Sequence, residues 1–233
     1  MYKAILFDLD GTLLHMDQDA FLKVYMKELI GAILPLGGDP SVIKAAFFKG
    51  VEAMILNDGT RTNYGAFWDR FMEIVGGDRQ AYIDMSDAFY LDGYDVVKSM
   101  TSVNPWAKRA IELAHRKAEK VVLSTNPVFP RVAQIKRLNW GGLCENDFDL
   151  ITDYKSDSFC KPNPKYYLSI CERIGVEPKD CLMVGNDASD DMKGASEAGM
   201  DSYLVTDCLI ESEKYIWTGK RGTFAELVEY LEQ

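Results

Sequence analysis

Ala4-Ile5-Leu6-Phe7-Asp8-Leu9-Asp10-Gly11-Thr12-Leu13-Leu14 is the stretch on which the reading of this chain turns. It begins as a short apolar run of strand type and passes into a Gly-Thr turn signal. Residues two apart on an extended segment point to the same side, so Asp8 and Asp10 project together where the strand runs out. Two unpaired carboxylates that close repel, and each raises the other's pKa unless a cation sits between them. A hard divalent cation with oxygen ligands, such as Mg²⁺, meets that need. A D-x-D pair alone is more often a solvated turn. The apolar strand before this one and the Gly-Thr-Leu after it mark it as a candidate site.

On the C-terminal side of this stretch the character changes. Phe21, Val24, Tyr25, Leu29 and Ile30 recur at helical spacing, as do Val42, Ala45 and Ala46, and later Phe67, Phe71, Ile74 and Val75. Gly37-Gly38-Asp39-Pro40, Asn57-Asp58-Gly59 and Gly76-Gly77-Asp78 read as breaks between helices. Residues 15–100 are therefore expected to be a helical insert of about three to five helices packed on the rest.

From residue 105 onward helix and strand alternate. The spacing predicts helices over Pro105–Lys117, Phe129–Leu138, Pro164–Ile174, Ser189–Ala198 and Thr223–Leu231. It predicts strands at Lys120–Ser124, Phe148–Thr152, Asp180–Gly185 and Ser202–Val205. Repeated strand–helix units imply a doubly wound parallel sheet covered on both faces, a Rossmann-like α/β core over residues 1–14 and 101–233. Such sheets bind ligands beyond the carboxyl ends of their strands. Asp8, Thr125 and Asp187 each follow a predicted strand end.

A chain of 233 residues suffices for such a core plus a smaller helical domain. No apolar run approaches the ~20 residues of a membrane helix. Met1-Tyr2-Lys3-Ala4 runs straight into the first strand, which leaves no room for a signal peptide and makes a cytoplasmic location the expectation. The net charge of −10 repels nucleic acid and anionic membranes, so neither is an expected partner. It also repels a phosphorylated metabolite, so any phosphate site needs local positive charge. Five cysteines without a C-x-x-C pair argue against a disulfide framework or a zinc site. Oligomeric state has no sequence signal.

Phe7-Asp8-Leu9-Asp10-Gly11-Thr12-Leu13 resembles the first motif of the haloacid dehalogenase superfamily of phosphatases and related hydrolases. Counterparts of its other three motifs follow in order. Val122-Leu123-Ser124-Thr125-Asn126 resembles the second, a hydroxyl after an apolar strand that can hold phosphate oxygens. Ser124 and Thr125 both qualify, and Thr125 is preferred because the motif's hydroxyl is often followed by Asn. Lys161-Pro162-Asn163-Pro164 resembles the third, with prolines that restrict where the lysine points. Met183 to Ala195 resembles the fourth, whose acids complete a metal site. Here the chain departs from the common Gly-Asp pattern: it has Gly185-Asn186-Asp187. Either Asn186 replaces the usual acid or Asp187 takes its role, and charge favours Asp187. Asp190 is explained by the dipole of the helix it opens.

The resemblance spans residues 4 to about 205 and implies a Mg²⁺-dependent phosphatase acting on a small phosphorylated metabolite. Asp8 would attack phosphorus and form an aspartyl-phosphate. Asp10 would protonate the leaving alcohol and then deprotonate water. Thr125, Asn126 and Lys161 would hold the phosphoryl oxygens. The Asp8 carboxylate, the Asp10 carbonyl and Asp187 would hold the metal, with Asp191 orienting Lys161 or the metal's water. Dehalogenases of the superfamily typically lack the second aspartate, which argues against that activity. A phosphomutase shares all four motifs and stays open, as does a binding protein that merely keeps the fold. Phosphonate hydrolysis would need a lysine of the insert, and Lys23, Lys27, Lys44 and Lys49 are available. Tyr25, Arg61, Tyr64 and Trp68 are candidates for specificity. His15 and His115 are not expected to bind metal, His15 having an exposed or gating place at the start of the insert.

Overall fold

The computed structural model describes residues 2–233. Strand β1 (Ala4–Phe7) is buried along its whole length, as an apolar run in a parallel sheet must be. It pairs in parallel with β4 (Lys120–Leu123) on one side and β6 (Cys181–Gly185) on the other. The sheet is completed by β5 (Leu150–Ile151), β7 (Asp201–Val205) and β8 (Lys220–Gly222), in the order β5-β4-β1-β6-β7-β8, every neighbouring pair parallel. Helices α5 (Ala107–Lys117) and α9 (Phe224–Glu232) share one apolar cluster with β1, β4 and β6. Helix α7 (Pro164–Ile174) shares another, formed with alternate residues of the same strands. The sheet is thus covered on both faces. Helix α6 (Arg131–Trp140) follows β4, and the short α8 (Gly194–Glu197) follows β6.

The predicted elements differ from the observed ones mainly at their ends. The strand expected over Phe148–Thr152 shrinks to β5, and the helix expected from Ser189 begins as a π-helical turn over Ala188–Lys193. Strand β8 was not foreseen. Its Lys-Arg-Gly has no apolar residue, and only pairing with Tyr203–Val205 makes it a strand.

Between β1 and β4 lie α1 (Gln18–Ile33), α2 (Pro40–Ile55), α3 (Asn63–Val75) and α4 (Arg79–Ala88), followed by a wider π-helical turn (Phe89–Gly93) and a tighter 3₁₀ helix (Tyr94–Met100). Each of α1 to α4 starts on a side-chain cap, Asp17, Asp39, Thr62 and Asp78 in turn, that accepts an otherwise orphaned backbone N–H. The two ends of the insert meet. Strand β2 (Leu14–Met16) pairs antiparallel with β3 (Thr101–Val103), so both crossings form one two-stranded ribbon. His15 lies in that ribbon with a buried Nε2 that has no partner, rather than at an exposed position.

Among the described residues no single helix is long and apolar enough to cross a membrane, although α1 with its following turn and α2 pass together as a pair bent by 116°. The five cysteines are thiols, and three of them, Cys160, Cys171 and Cys181, are buried.

Candidate active site

Asp8, Thr125 and Asp187 stand just beyond the carboxyl ends of β1, β4 and β6, three adjacent strands at the point where the strand order reverses. Lys161 reaches them from the segment before α7, whose start is set by the Asn163 cap and by Pro164 in the first turn. Its Nζ donates to Asp8 Oδ1 at 2.7 Å and to Asp191 Oδ1 at 2.6 Å, in a nearly closed environment. Burial opposes the charge, but Asp191 and Asp8 outweigh it and hold the lysine pKa well above its usual value. The lysine is therefore a fixed ammonium. Asp191 is locked in turn, because its Oδ2 accepts the Asp187 N–H at 2.9 Å. A Cβ on Gly185 would lie 2.1 Å from that oxygen, so only glycine lets Asp191 close on the strand end.

The two hydroxyls after β4 separate. Ser124 Oγ turns to the Phe7 carbonyl and Met183 Sδ, inside the sheet, whereas Thr125 lines the cavity. Asn126 Oδ1 accepts the Lys161 N–H at 3.3 Å, and its Nδ2 donates to Asp190 Oδ2 at 3.3 Å. Asp190 does more than open a helix: it lines the cavity, and burial, with Asp187 nearby, pushes its carboxyl up to about 6.

Asn186 is committed elsewhere. Its Oδ1 accepts from Thr12 Oγ1 at 3.1 Å and its Nδ2 donates to the Cys208 carbonyl at 2.6 Å. Gly11 has φ +87°, and a Cβ there would lie 2.3 Å from Asn186 Nδ2, so the motif's glycine is required by conformation and by space. Asp187 Oδ1 accepts from the backbone N–H groups of Ser189 and Asp190, at 2.7 and 2.8 Å.

Asp10 has a partner that sequence reasoning missed. Arg137 on α6 is fully buried and its Nη1 donates to Asp10 Oδ2 at 2.8 Å. Burial, reinforced by Asp8, raises the Asp10 carboxyl to about 6 against the lowering effect of Arg137 and Lys161. The signal was present: Ala133, Gln134, Arg137 and Leu138 form the buried face of α6, and an arginine on such a face demands a partner.

These groups surround a cavity of about 300 Å³. The insert contributes Gln18, Asp19, Phe21 and Leu22 to its wall, and the loop after β7 contributes Ile210. Tyr25, Arg61, Tyr64 and Trp68 do not line it. Tyr25 and Trp68 are buried in the insert, Tyr64 packs edge-on against Tyr154, and Arg61 pairs with Asp69. Among the described residues Lys161 is the only lysine in the cavity wall; Lys23, Lys27 and Lys44 line a separate groove and Lys49 pairs with Glu52.

The donor set suits a hard dication. Asp8, Asp10 and Asp187 line one cavity, and two carboxylates with a carbonyl are the oxygen donors that suit a Mg²⁺ ion that keeps several waters. Among the described residues, no three His, Cys, Asp or Glu side chains converge into a ready-made cage.

Strand-end carboxylates, a buried lysine and a hydroxyl around one cavity define an α/β hydrolase of phosphoryl-group type. Residues 2–199 match the family model of haloacid dehalogenase-like hydrolases, and the chain belongs to that family. It is similar to a glyceraldehyde 3-phosphate phosphatase of Methanothermobacter thermautotrophicus, 26% identical over 92% of this chain and 90% of the relative. A phosphoglycolate phosphatase of Nitrosospira multiformis is 25% identical over 87% and 82%. Among solved structures, a HAD phosphatase from Thermococcus onnurineus superimposes with a TM-score of 0.60 at 23% identity, covering 98% and 97% of the two chains. A 2-haloacid dehalogenase from Pseudomonas syringae pv. Tomato gives a TM-score of 0.64 at 18% identity over 100% and 99%. The two solved structures bear on the fold alone. With its phosphatase relatives, the chain is a phosphatase-type hydrolase of the family.

Proposed function

We propose that the protein is a Mg²⁺-dependent phosphatase of a small phosphorylated metabolite, working through an aspartyl-phosphate on Asp8. The observation that carries this reading is Lys161 Nζ held between Asp8 and Asp191 at 2.7 and 2.6 Å, with Asp10 two residues from Asp8 on the same cavity. Asp8 attacks phosphorus as the bond to the leaving alcohol breaks, and Asp10 gives that alcohol its proton. Asp10 then takes a proton from water, which attacks phosphorus and releases Asp8. A carboxyl raised to about 6 suits both directions near neutral pH. Lys161, Thr125 and Asn126 orient the phosphoryl oxygens, and Lys161 offsets their charge within an acidic wall. Mg²⁺, held by the Asp8 carboxylate, the Asp10 carbonyl and Asp187, supplies further neutralisation when bound. The engagement of Asn186 with Thr12 and Cys208 supports Asp187 as the fourth-motif ligand.

The helical insert, residues 15–100, acts in this reading as a cap over the core of residues 1–14 and 101–233, and the β2–β3 ribbon is its hinge. A cavity of about 300 Å³ suits a small metabolite. A cytoplasmic enzyme without nucleic-acid or membrane partners accords with the charge of −10.

The test is phosphate release from 4-nitrophenyl phosphate with and without Mg²⁺, and then from a panel of phosphorylated metabolites. Release that needs Mg²⁺ and vanishes in Asp8→Asn is the expected result. Release unaffected by Asp8→Asn would sink the reading.

A further inference from the structure

Arg137 is a fully buried arginine for which stability gives no reason. Buried ion pairs can often be replaced by well-packed apolar residues at no loss. Only Nη1 has a partner; Nε and Nη2 are buried without one, and such orphans cost stability. The guanidinium is nevertheless held firmly. Its Cζ lies 4.3 Å from the Phe129 ring centroid, and Phe129 packs against Tyr25 of the insert, with ring centroids 5.3 Å apart. Lys136, one residue earlier on α6, ties the helix to the insert through the Leu91 carbonyl at 2.7 Å and Asp95 at 3.1 Å.

What this clamp does is divide the two carboxylates between two cations. Lys161 takes Asp8 and Asp191 and makes no bond to Asp10, while Arg137 takes Asp10 through Oδ2 alone. Asp10 Oδ1 is left with no partner. Asp10 sits on a tight turn, where the Gly11 N–H bonds the Leu14 carbonyl at 2.7 Å, so its backbone is set and only its side-chain torsions need fixing.

We propose that Arg137 is the positioning residue of Asp10: by holding Oδ2 it fixes the side-chain torsions from which the carboxyl hands a proton to the leaving group. This rests on the reading of Asp10 as the leaving-group acid. In that step the Asp8 oxygen bonds phosphorus as the phosphorus–oxygen bond to the leaving group breaks, the electron pair stays on the leaving oxygen, and the proton of the Asp10 carboxyl moves to it.

The experiment compares first-turnover release of the leaving group from 4-nitrophenyl, phenyl and benzyl phosphate, in wild type, Arg137→Met, Arg137→Lys and Asp10→Asn. Nitrophenolate departs without a proton; a benzyl alkoxide does not. Arg137→Met is expected to slow benzyl phosphate about a hundredfold and 4-nitrophenyl phosphate less than about threefold, with KM little changed, since general acid catalysis is worth 10²–10⁴-fold. Arg137→Lys keeps the charge without the fork and should fall between, which keeps the proposal testable if Arg137→Met fails to fold by circular dichroism. An equal loss on all three phosphates in the Arg137 variants, or no loss on any, overturns the proposal while Asp10→Asn still discriminates among them. If Asp10→Asn itself does not discriminate, the acid role of Asp10 fails and the positioning role fails with it.

Discussion

The floor and the roof of the cavity are built to different standards. On the floor, at the strand ends, nearly every polar group has its partner: Lys161 with two carboxylates, Asp191 with the Asp187 N–H, and Asn186 with Thr12 and Cys208. Toward the insert the wall is left incomplete. Asp10 Oδ1 and Arg137 Nε and Nη2, in the wall, and Tyr94 Oη and His15 Nε2, outside it, are buried without partners. Groups that bind a constant feature, a phosphoryl oxygen or a metal, are worth locking beforehand. Groups that meet the variable part of a substrate, or that move, are completed only when something arrives. The difference teaches, on the proposed reading, that the nucleophile and its lysine are fixed in advance, whereas Asp10, which meets the leaving group, is left partly unpaired.

Four measurements would break or sharpen that contrast. Asp8→Asn should have the largest effect, turnover falling by more than a hundredfold, because losing a covalent nucleophile costs roughly several kcal/mol of barrier. The fold should persist, since Asp191 still pairs with Lys161, and circular dichroism recorded on the assayed sample checks this. Asp191→Asn breaks the floor from below. It leaves a buried ammonium with one carboxylate, and a loss of about 3–5 kcal/mol in urea unfolding is expected. A change under about 1 kcal/mol would mean that the pair is not locked.

The fourth motif offers a finer division. Asp187→Asn should weaken Mg²⁺ about tenfold or more in a calorimetric titration, roughly 1.4 kcal/mol. Asn186→Ala should cost stability instead, about 1–3 kcal/mol for its stranded partners, with Mg²⁺ affinity little changed. The opposite pattern would make Asn186 the ligand. The smallest effect is expected at the ribbon. Hydrogen exchange at Leu14–Met16 and Thr101–Val103 should slow when a metal fluoride mimic of the phosphoryl group is added with Mg²⁺. No change in either strand would describe a cap that does not move.

The second-motif hydroxyl shows how far pattern alone reaches. Ser124 and Thr125 were equivalent as residue types after a strand, and Thr125 was preferred on motif grounds. Side-chain alternation then separates them, with Ser124 among sheet atoms and Thr125 at the cavity. The insert's aromatics went the other way: Tyr25 and Trp68 were candidates for specificity and are core. Helical periodicity reports that a face is buried, not against what.

By itself the sequence determined the α/β class, the parallel core, a helical insert and the strand-end positions of Asp8, Thr125 and Asp187. Those follow from local rules: apolar runs, caps, glycine turns and the two-residue period of a strand. Only the tertiary structure decided that Arg137 meets Asp10 across 127 positions of chain, that the two crossings pair as a ribbon, and that Asn186 is spent on Thr12 and Cys208. Each is a pairing between segments far apart in sequence. Side-chain partners of that kind are chosen by how elements pack, and no local pattern carries that information.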